Sequence, residues 1–328
     1  MGILRINMTD TTGGIALHGT PEIPLAQALS AQQNGTGPVI VMIHGYRFAP
    51  GDARHCPHDH ILSLRPDHRC RKALSWPRGL GSDGTGDSLG IAFGWPARGA
   101  FRKAYARADQ AGLALARLIT LLRGQSPGRR VHVMAHSLGA RVALSALRHL
   151  PAGGIDRMLL LNGAEYTSRA EAALATPAGR RTEVLHITAR ENRAYDLGFE
   201  LITRAPAPGD RALSLRAPER PNWLTLPIHD AATLAALRHY GFPLAPPQAR
   251  ICHWSSYLRP GLFPLFRALI GTSQPLPLVT LRALLPEETA HRSAPTSAIS
   301  PVRRDARLTP DRRISVVLAN ILGGRRGC

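Results

Sequence analysis

The stretch VHVMAHSLGARVAL, residues 131–144, decides the fold of this 328-residue chain. It begins with a mostly apolar run, which is typical of a strand that is buried on both faces of a parallel sheet. From Gly139 onward, apolar residues recur at helical spacing. Ser137 stands between the two patterns, with the small residues Ala135 and Gly139 two positions away on either side. The stretch therefore predicts a sharp strand-to-helix turn with a serine at its tip.

Similar apolar runs occur on both sides of this stretch, at the spacing of strand–helix–strand units. A long helix is predicted between two of them, because an apolar stripe runs from Phe101 to Leu122 and Gly124 is a suitable C-cap. We expect an α/β protein with a mostly parallel sheet that helices cover on both faces. The predicted strands are 38–45, 89–95, 131–137, 157–163, 183–188 and 249–254, preceded by an N-terminal β-hairpin of residues 3–7 and 14–18.

The regular pattern extends to about residue 285, so we predict one α/β domain over 1–285. Residues 51–88 and 197–248 interrupt it and are expected to be insertions that form a lid, the second with a helix around AATLAALRHYG. Residues 286–328 are basic and rich in proline and arginine, with a short apolar patch, ISVVLANIL. We expect this part to be a poorly ordered tail.

The chain carries 41 Lys and Arg against 22 Asp and Glu, for a formal net charge of +19. The arginines are spread along the chain instead of forming one block, so nucleic-acid binding is unlikely and a basic surface that favours anionic partners is expected. No run approaches the roughly 18 apolar residues of a transmembrane helix. The opening MGILRINMTD lacks the apolar core of a secretory signal, so a cytoplasmic location is expected. The oligomeric state is not predicted.

The segment AHSLG resembles the G-x-S-x-G nucleophile elbow of α/β-hydrolases, with alanine at the first small position. The resemblance implies that Ser137 is the nucleophile, flanked by His136 and Gly139, and that the amide of Leu138 is one oxyanion donor. The N-terminus of the following helix would favour developing negative charge. The alternative is a serine at an ordinary strand–helix junction that only caps the helix.

Two further motifs make the resemblance more specific. The predicted strand 38–45 leads into His44-Gly45-Tyr46, where the amide of Tyr46 would be the second oxyanion donor. The pair Trp95-Pro96 closes the next strand. With the elbow and a late His-Trp pair, these features resemble a group of bacterial α/β-hydrolases of unknown function over residues 38–270. That group implies the fold and the chemistry but no substrate.

The general base should follow Ser137 in the chain, because this fold orders its triad as serine, acid, histidine. His253 comes directly after the apolar run ARIC and is the predicted base. His229 and His239 are the rivals, the second within a predicted helix. A histidine that only packs beside Trp254 is the remaining alternative.

The acid of the triad is expected shortly after EVLHIT, where the chain reads ARENRAYD. The resembled family places an aspartate near the strand end, but asparagine or arginine falls at that position here. Asp196 is the favoured acid, Glu191 is the first alternative, and Glu165, after an earlier strand, is the second. Each of these carboxylates could also be a surface charge or a helix cap.

No cofactor or metal is predicted. Cysteine and histidine residues cluster between Cys56 and Cys70, but their spacing is tighter than that of structural zinc sites. The glycine-rich stretch RGLGSDGTGDS lacks the register of a phosphate-binding loop.

The sequence thus favours a serine hydrolase that acts on a small-molecule or lipid-derived ester through an acyl-enzyme. A degenerate protein of the same fold that binds without catalysis is the alternative. Acyl and alcohol specificity, and the choice between hydrolysis and acyl transfer, are not encoded in any motif.

Overall fold

A computed structural model describes residues 3–32, 35–67 and 70–285 of the chain. They contain a sheet of eight strands: β1 (Leu4–Met8), β2 (Ile15–Leu17), β3 (Val39–Ile43), β4 (Leu89–Gly94), β5 (Val131–His136), β6 (Arg157–Leu161), β7 (Glu183–Thr188) and β8 (Trp223–Pro227). The spatial order is β2-β1-β4-β3-β5-β6-β7-β8. The first two strands pair antiparallel, and all other neighbours are parallel. This is an α/β-hydrolase fold with an N-terminal antiparallel pair, as the sequence predicts.

Helices lie between the strands and after the last of them. They are α1 (Leu25–Ser30), α2 (Trp76–Leu80), α3 (Phe101–Gln125), α4 (Gly139–Ala146), α5 (Thr167–Leu174), α6 (Pro177–Arg181), α7 (Arg193–Ile202), α8 (Ala231–His239), α9 (Ser255–Leu258), α10 (Leu262–Phe266) and α11 (Leu278–Leu284). Short 3₁₀ turns occur at Pro57–Asp59, Leu147–His149 and Arg190–Asn192, and a π-helical turn at Arg267–Gly271.

Every residue of the four central strands β4, β3, β5 and β6 is buried. Their side chains alternate between two apolar layers, as the two-residue period of a strand requires. In β3, for example, Val39 and Val41 belong to the layer that contains α3 and α4, whereas Ile40 and Met42 belong to the layer that contains α10. Continuous apolar runs therefore form these strands because both faces of the sheet are covered.

Helix α3 packs closely on α4 through a small residue. A Cβ added at Gly112 would lie 2.5 Å from Cβ of Ser145, so only glycine permits this approach. The prediction that Gly124 caps the helix is wrong, because α3 continues through it to Gln125 and Ser126 takes the C-cap position.

The last predicted strand, 249–254, is also wrong. Ile251 is exposed and the segment forms a loop, so its apolar residues do not enter the core. The last strand is β8, within the stretch 197–248 that the sequence suggested was an insertion. Trp223 and Leu226 of β8 are buried, and the strand pairs with β7.

Among the described residues, no helix combines the length and the apolar character that crossing a membrane requires. The predicted tail 286–328 lies outside the described residues. The division into a domain over 1–285 with lid-forming insertions stays a prediction.

Candidate active site

Ser137 occupies the turn between β5 and α4 in a left-handed conformation, with φ of +54°. Such a conformation costs an L-residue roughly 1–2 kcal/mol, and strain of this kind concentrates at functional sites. The turn is held by main-chain bonds: the amide of Ser137 donates to Leu161 over 2.9 Å, and its carbonyl accepts from Ala164 over 2.9 Å. A Cβ at Gly139 would lie 2.7 Å from the carbonyl oxygen of His44, which explains the small residue there.

The end of β3 lies directly against this turn. A Cβ at Gly45 would approach Cβ of Ser137 to 2.8 Å, so a larger residue would displace the serine. The two predicted oxyanion donors are the residues that follow this contact, Tyr46 after Gly45 and Leu138 after Ser137. The Tyr46 hydroxyl donates to the carbonyl of Gly99 over 2.5 Å, which holds the loop after β3.

His44 has a structural part in this arrangement. Its Nδ1 lies 2.9 Å from the carbonyl oxygen of Gly45, and its Nε2 accepts from the Trp95 amide over 3.1 Å. The Trp95 indole donates back to the His44 carbonyl over 3.0 Å. Complete burial lowers the pKa of His44 to about 4, so the ring is neutral and ties the ends of β3 and β4 together.

The structure brings His253 to Ser137, with Nε2 2.7 Å from Oγ of the serine. Desolvation, followed by the charges of His136 and Lys72, holds the pKa of His253 well below its usual value. The ring is therefore neutral near pH 7, which is the state that can accept a proton from a serine. The rival His239 lies exposed at the end of α8, and the rival His229 is half-buried after β8.

The backbone of His253 is fixed although the segment before it is a loop. Its carbonyl oxygen accepts from Nδ2 of Asn162 over 3.0 Å and lies 3.1 Å from Nε2 of His136. Burial lowers the pKa of His136 to about 4, so its ring is also neutral. Tyr195 stacks on the imidazole of His253, with 4.6 Å between ring centroids and 21° between planes.

The hydrogen-bond partner of His253 Nδ1 is Asn192, whose Oδ1 lies 2.6 Å away. The amide nitrogen of Asn192 donates in turn to Oδ1 of Asp196 over 2.8 Å. Asp196, the favoured acid, thus reaches the imidazole only through the Asn192 amide. The reason is helical spacing: Asn192 is the residue before α7, and Asp196 follows one turn later on the same face.

The Asp196 carboxylate is almost fully buried, and this desolvation raises its pKa to about 7, against the lowering effect of the bond from Asn192. The other two candidate acids are held elsewhere. Glu191 pairs with Arg259 over 2.6 Å between buried side chains. Glu165 pairs with Arg141 over 2.6 Å and accepts from the Tyr105 hydroxyl over 2.6 Å.

Sequence reasoning missed three contributors, Asn162, Asn192 and Tyr195. Of the three, Asn162 has a residue type that suits its unusual backbone, because its φ is +44° and asparagine tolerates that region better than most residues. Among the described residues, no group of three or more His, Cys, Asp or Glu side chains is arranged to hold a metal ion. His68, part of the cluster that the sequence suggested, lies outside those residues.

A comparison with protein families agrees with the fold. Residues 24–161 match the family described as "Alpha/beta hydrolase of unknown function (DUF900)". Among solved structures, the chain is similar to Trichoderma reesei cutinase in complex with a C11Y4 phosphonate inhibitor, at 12% identity, covering 48% of this chain and 71% of that chain, with a TM-score of 0.24. No curated protein matches the sequence. The family match spans β3 to β6 and includes the strained serine turn, so this part of the chain is similar to α/β-hydrolases.

Proposed function

We propose that the protein is a serine hydrolase that cleaves esters through an acyl-enzyme on Ser137. The observation that carries this proposal is the continuous hydrogen-bonded chain from Ser137 Oγ through His253 to Asn192, with links of 2.7 and 2.6 Å. A nucleophile bonded to a base, which is itself oriented by a third group, is the geometry of activated-serine catalysis.

In this mechanism, Oγ of Ser137 attacks the ester carbonyl while Nε2 of His253 accepts the hydroxyl proton. The carbonyl oxygen becomes an oxyanion that the amides of Tyr46 and Leu138 stabilise, a contribution of roughly 3–4 kcal/mol for each donor of this kind. His253 then returns the proton to the departing alcohol, which leaves an acyl group on Ser137. Water, activated by the same imidazole, releases the acid.

Asn192 can orient the imidazole although it carries no charge. Its Oδ1 accepts from Nδ1–H of His253, which leaves the lone pair of Nε2 directed at the serine. An asparagine fills this third position in the Cys-His-Asn arrangement of papain-like proteases. The substitution of amide for carboxylate is therefore compatible with nucleophilic catalysis.

The test is active-site labelling with a fluorophosphonate probe, located by mass spectrometry. The wild type should be labelled at Ser137, and Ser137→Ala and His253→Ala should not. Ser168→Ala, which removes an exposed serine of α5, is the matched control and should label like the wild type. A folded wild type that does not react would contradict the proposal and favour a protein that binds without catalysis.

The charge of the protein supports a proposal for the substrate class. A net charge of +19 raises the local concentration of anions, so we expect small-molecule or lipid-derived esters with a negative charge to be preferred. Turnover of paired anionic and neutral aryl esters would be compared at low and high salt. The preference for the anionic ester should decrease as salt screens the surface. Equal rates that do not depend on salt would exclude this preference and leave the esterase proposal intact.

A further inference from the structure

The Asn192 amide is held between two groups that could each accept or donate. Its Oδ1 faces Nδ1 of His253 and its Nδ2 faces Oδ1 of Asp196. Asn192 and Asp196 are 1% and 5% exposed, so water does not replace either bond. The orientation of the amide therefore depends on its two protein neighbours.

An ionised carboxylate can only accept hydrogen bonds, so it requires the NH₂ end of the amide. The oxygen end then faces His253 and requires a proton on Nδ1. This leaves Nε2 unprotonated in the neutral ring, and Nε2 is the atom 2.7 Å from the Ser137 hydroxyl. The charge on Asp196 thus determines, through the Asn192 amide, which ring nitrogen of His253 carries the proton.

We propose that Asp196 is a positioning residue that acts through the Asn192 amide and holds His253 in the tautomer able to activate Ser137. The inference rests on the serine-hydrolase function proposed above. It assigns to Asp196 a part different from that of a triad acid, since its carboxylate touches neither the imidazole nor the substrate.

Protonation of Asp196 reverses the arrangement. The carboxyl O–H can donate to Oδ1 of Asn192, which turns the NH₂ end towards His253. That end donates to Nδ1, so the single ring proton moves to Nε2. In this state Nε2–H faces Ser137 and cannot take its proton. One proton has been added to the site, and it resides on Asp196 while the imidazole stays neutral.

The surroundings of Asp196 place this change near neutral pH. Burial raises its pKa to about 7 and the charge of Glu200 acts in the same direction, whereas Asn192, the Ser214 side chain and the charge of Arg193 act against them. The pKa of His253 lies well below its usual value, so the imidazole does not titrate in the same range. Reactivity should rise with pH as Asp196 ionises.

The experiment follows the rate of fluorophosphonate labelling at Ser137 between pH 5 and 9, in the wild type and in variants of Asn192 and Asp196. The wild type should gain rate as the pH passes about 7. Asp196→Asn should lose this rise and label at least about tenfold more slowly at pH 8, because a neutral amide no longer fixes the Asn192 orientation. Asp210→Asn, which changes a half-buried carboxylate that lies outside the hydrogen-bonded chain from Ser137 to Asp196, is the control and should behave like the wild type.

The double variant N192D/D196N puts the carboxylate directly on His253 with an amide behind it. It should label within a few-fold of the wild type at pH 8, and its rise should move below pH 7, because two donated hydrogen bonds lower the carboxylate pKa. A role of Asp196 in packing alone would not produce this recovery.

Three outcomes would overturn the inference: a wild-type profile that is flat across pH 7, an Asp196→Asn variant with the wild-type rate and profile, or an exchange variant that keeps the wild-type rise. Each of these outcomes counts only if the wild-type protein is labelled at Ser137. Absence of labelling in the wild type would instead contradict the proposed hydrolase function. The wild-type profile and the exchange variant keep the inference testable if Asp196→Asn does not fold.

Discussion

Nη2 of Arg259 donates to Oε1 of Glu191 over 2.6 Å, and both side chains are almost completely buried. The same arginine bonds the carbonyl of Ile228 after β8, and the Glu191 carbonyl accepts from the amide of Cys252 over 3.0 Å. Glu191 and Cys252 directly precede Asn192 and His253. The ion pair therefore joins the segment that carries Asn192 to the segment that carries His253.

Removal of one partner should destabilise the protein, because it leaves an uncompensated buried charge. We expect Glu191→Ala to lower the free energy of unfolding by about 3–5 kcal/mol in urea titrations. The double variant E191L/R259M replaces both charges with apolar groups and should recover most of that loss. A single variant within about 1 kcal/mol of the wild type would show that the pair does not secure these segments.

The ionised Asp196 side chain should lower the free energy of unfolding at neutral and higher pH. Its pKa in the folded state, about 7, is above the unfolded value near 3.8, so the folded protein binds the proton more tightly. The stability that the protonated group provides is complete below about pH 4 and is lost as the pH rises to 7. Asp196→Asn does not titrate, so its advantage over the wild type should grow by roughly 2–3 kcal/mol between pH 5 and 8.

Urea titrations of both proteins at the two pH values measure this difference, with Asp210→Asn, a change at a half-buried carboxylate, as the control. The same substitution is expected to reduce labelling of Ser137, so stability and reactivity should change in opposite directions. A difference that is independent of pH would place the pKa of Asp196 outside this range.

The strained serine turn should respond to glycine. Ser137→Gly and Ser137→Ala both remove the hydroxyl, but glycine adopts a φ of +54° without the steric cost that alanine bears. We expect the glycine variant to be more stable by about 0.5–1 kcal/mol, after its greater freedom in the unfolded chain is included. Ser168, in helix α5, should show the opposite order, with alanine more stable than glycine. Thermal denaturation of the four variants provides the comparison.

Two glycines of α3 should respond in opposite ways to alanine. Gly124→Ala meets no atom within 4 Å and should stabilise the protein by roughly 0.5–1 kcal/mol through helix propensity. Gly112→Ala would press on Ser145 and the main chain of α4 and should cost about 1–3 kcal/mol. If both substitutions changed the free energy of unfolding equally, the close packing of α3 on α4 would be refuted.

The central strands could be predicted because their apolar sequences match their complete burial. All residues of β3 and β5 lie inside, so an uninterrupted apolar run was a sufficient signal. The edge strand β8 is only five residues long and ends at Pro227, within an arginine- and proline-rich stretch, so its pattern was weak. The segment ARIC was predicted as a strand instead, but Ile251 is exposed and the segment is not part of the eight-stranded sheet.

The site could be predicted where chemistry and chain order agree. The elbow motif indicates Ser137, and the order of the triad indicates a late histidine, and these two side chains meet in the structure. Asn192 could not be predicted because the triad of this fold calls for a carboxylate as the partner of the histidine. The contact between Asn192 and Asp196 depends on α7 beginning at Arg193, because this start places Asp196 one helical turn after Asn192. The identity of a single residue does not predict that start.

The loop that carries His253 has a consequence for how this fold can diversify. The imidazole is located by groups on other segments, Asn162, His136 and Asn192, and its own chain arrives through residues 246–250, which are all exposed. Insertions or grafted sequences at 246–250 should leave His253 in register with Ser137. New loops could therefore be acquired beside the candidate active site without rebuilding the hydrogen-bonded chain that holds the imidazole.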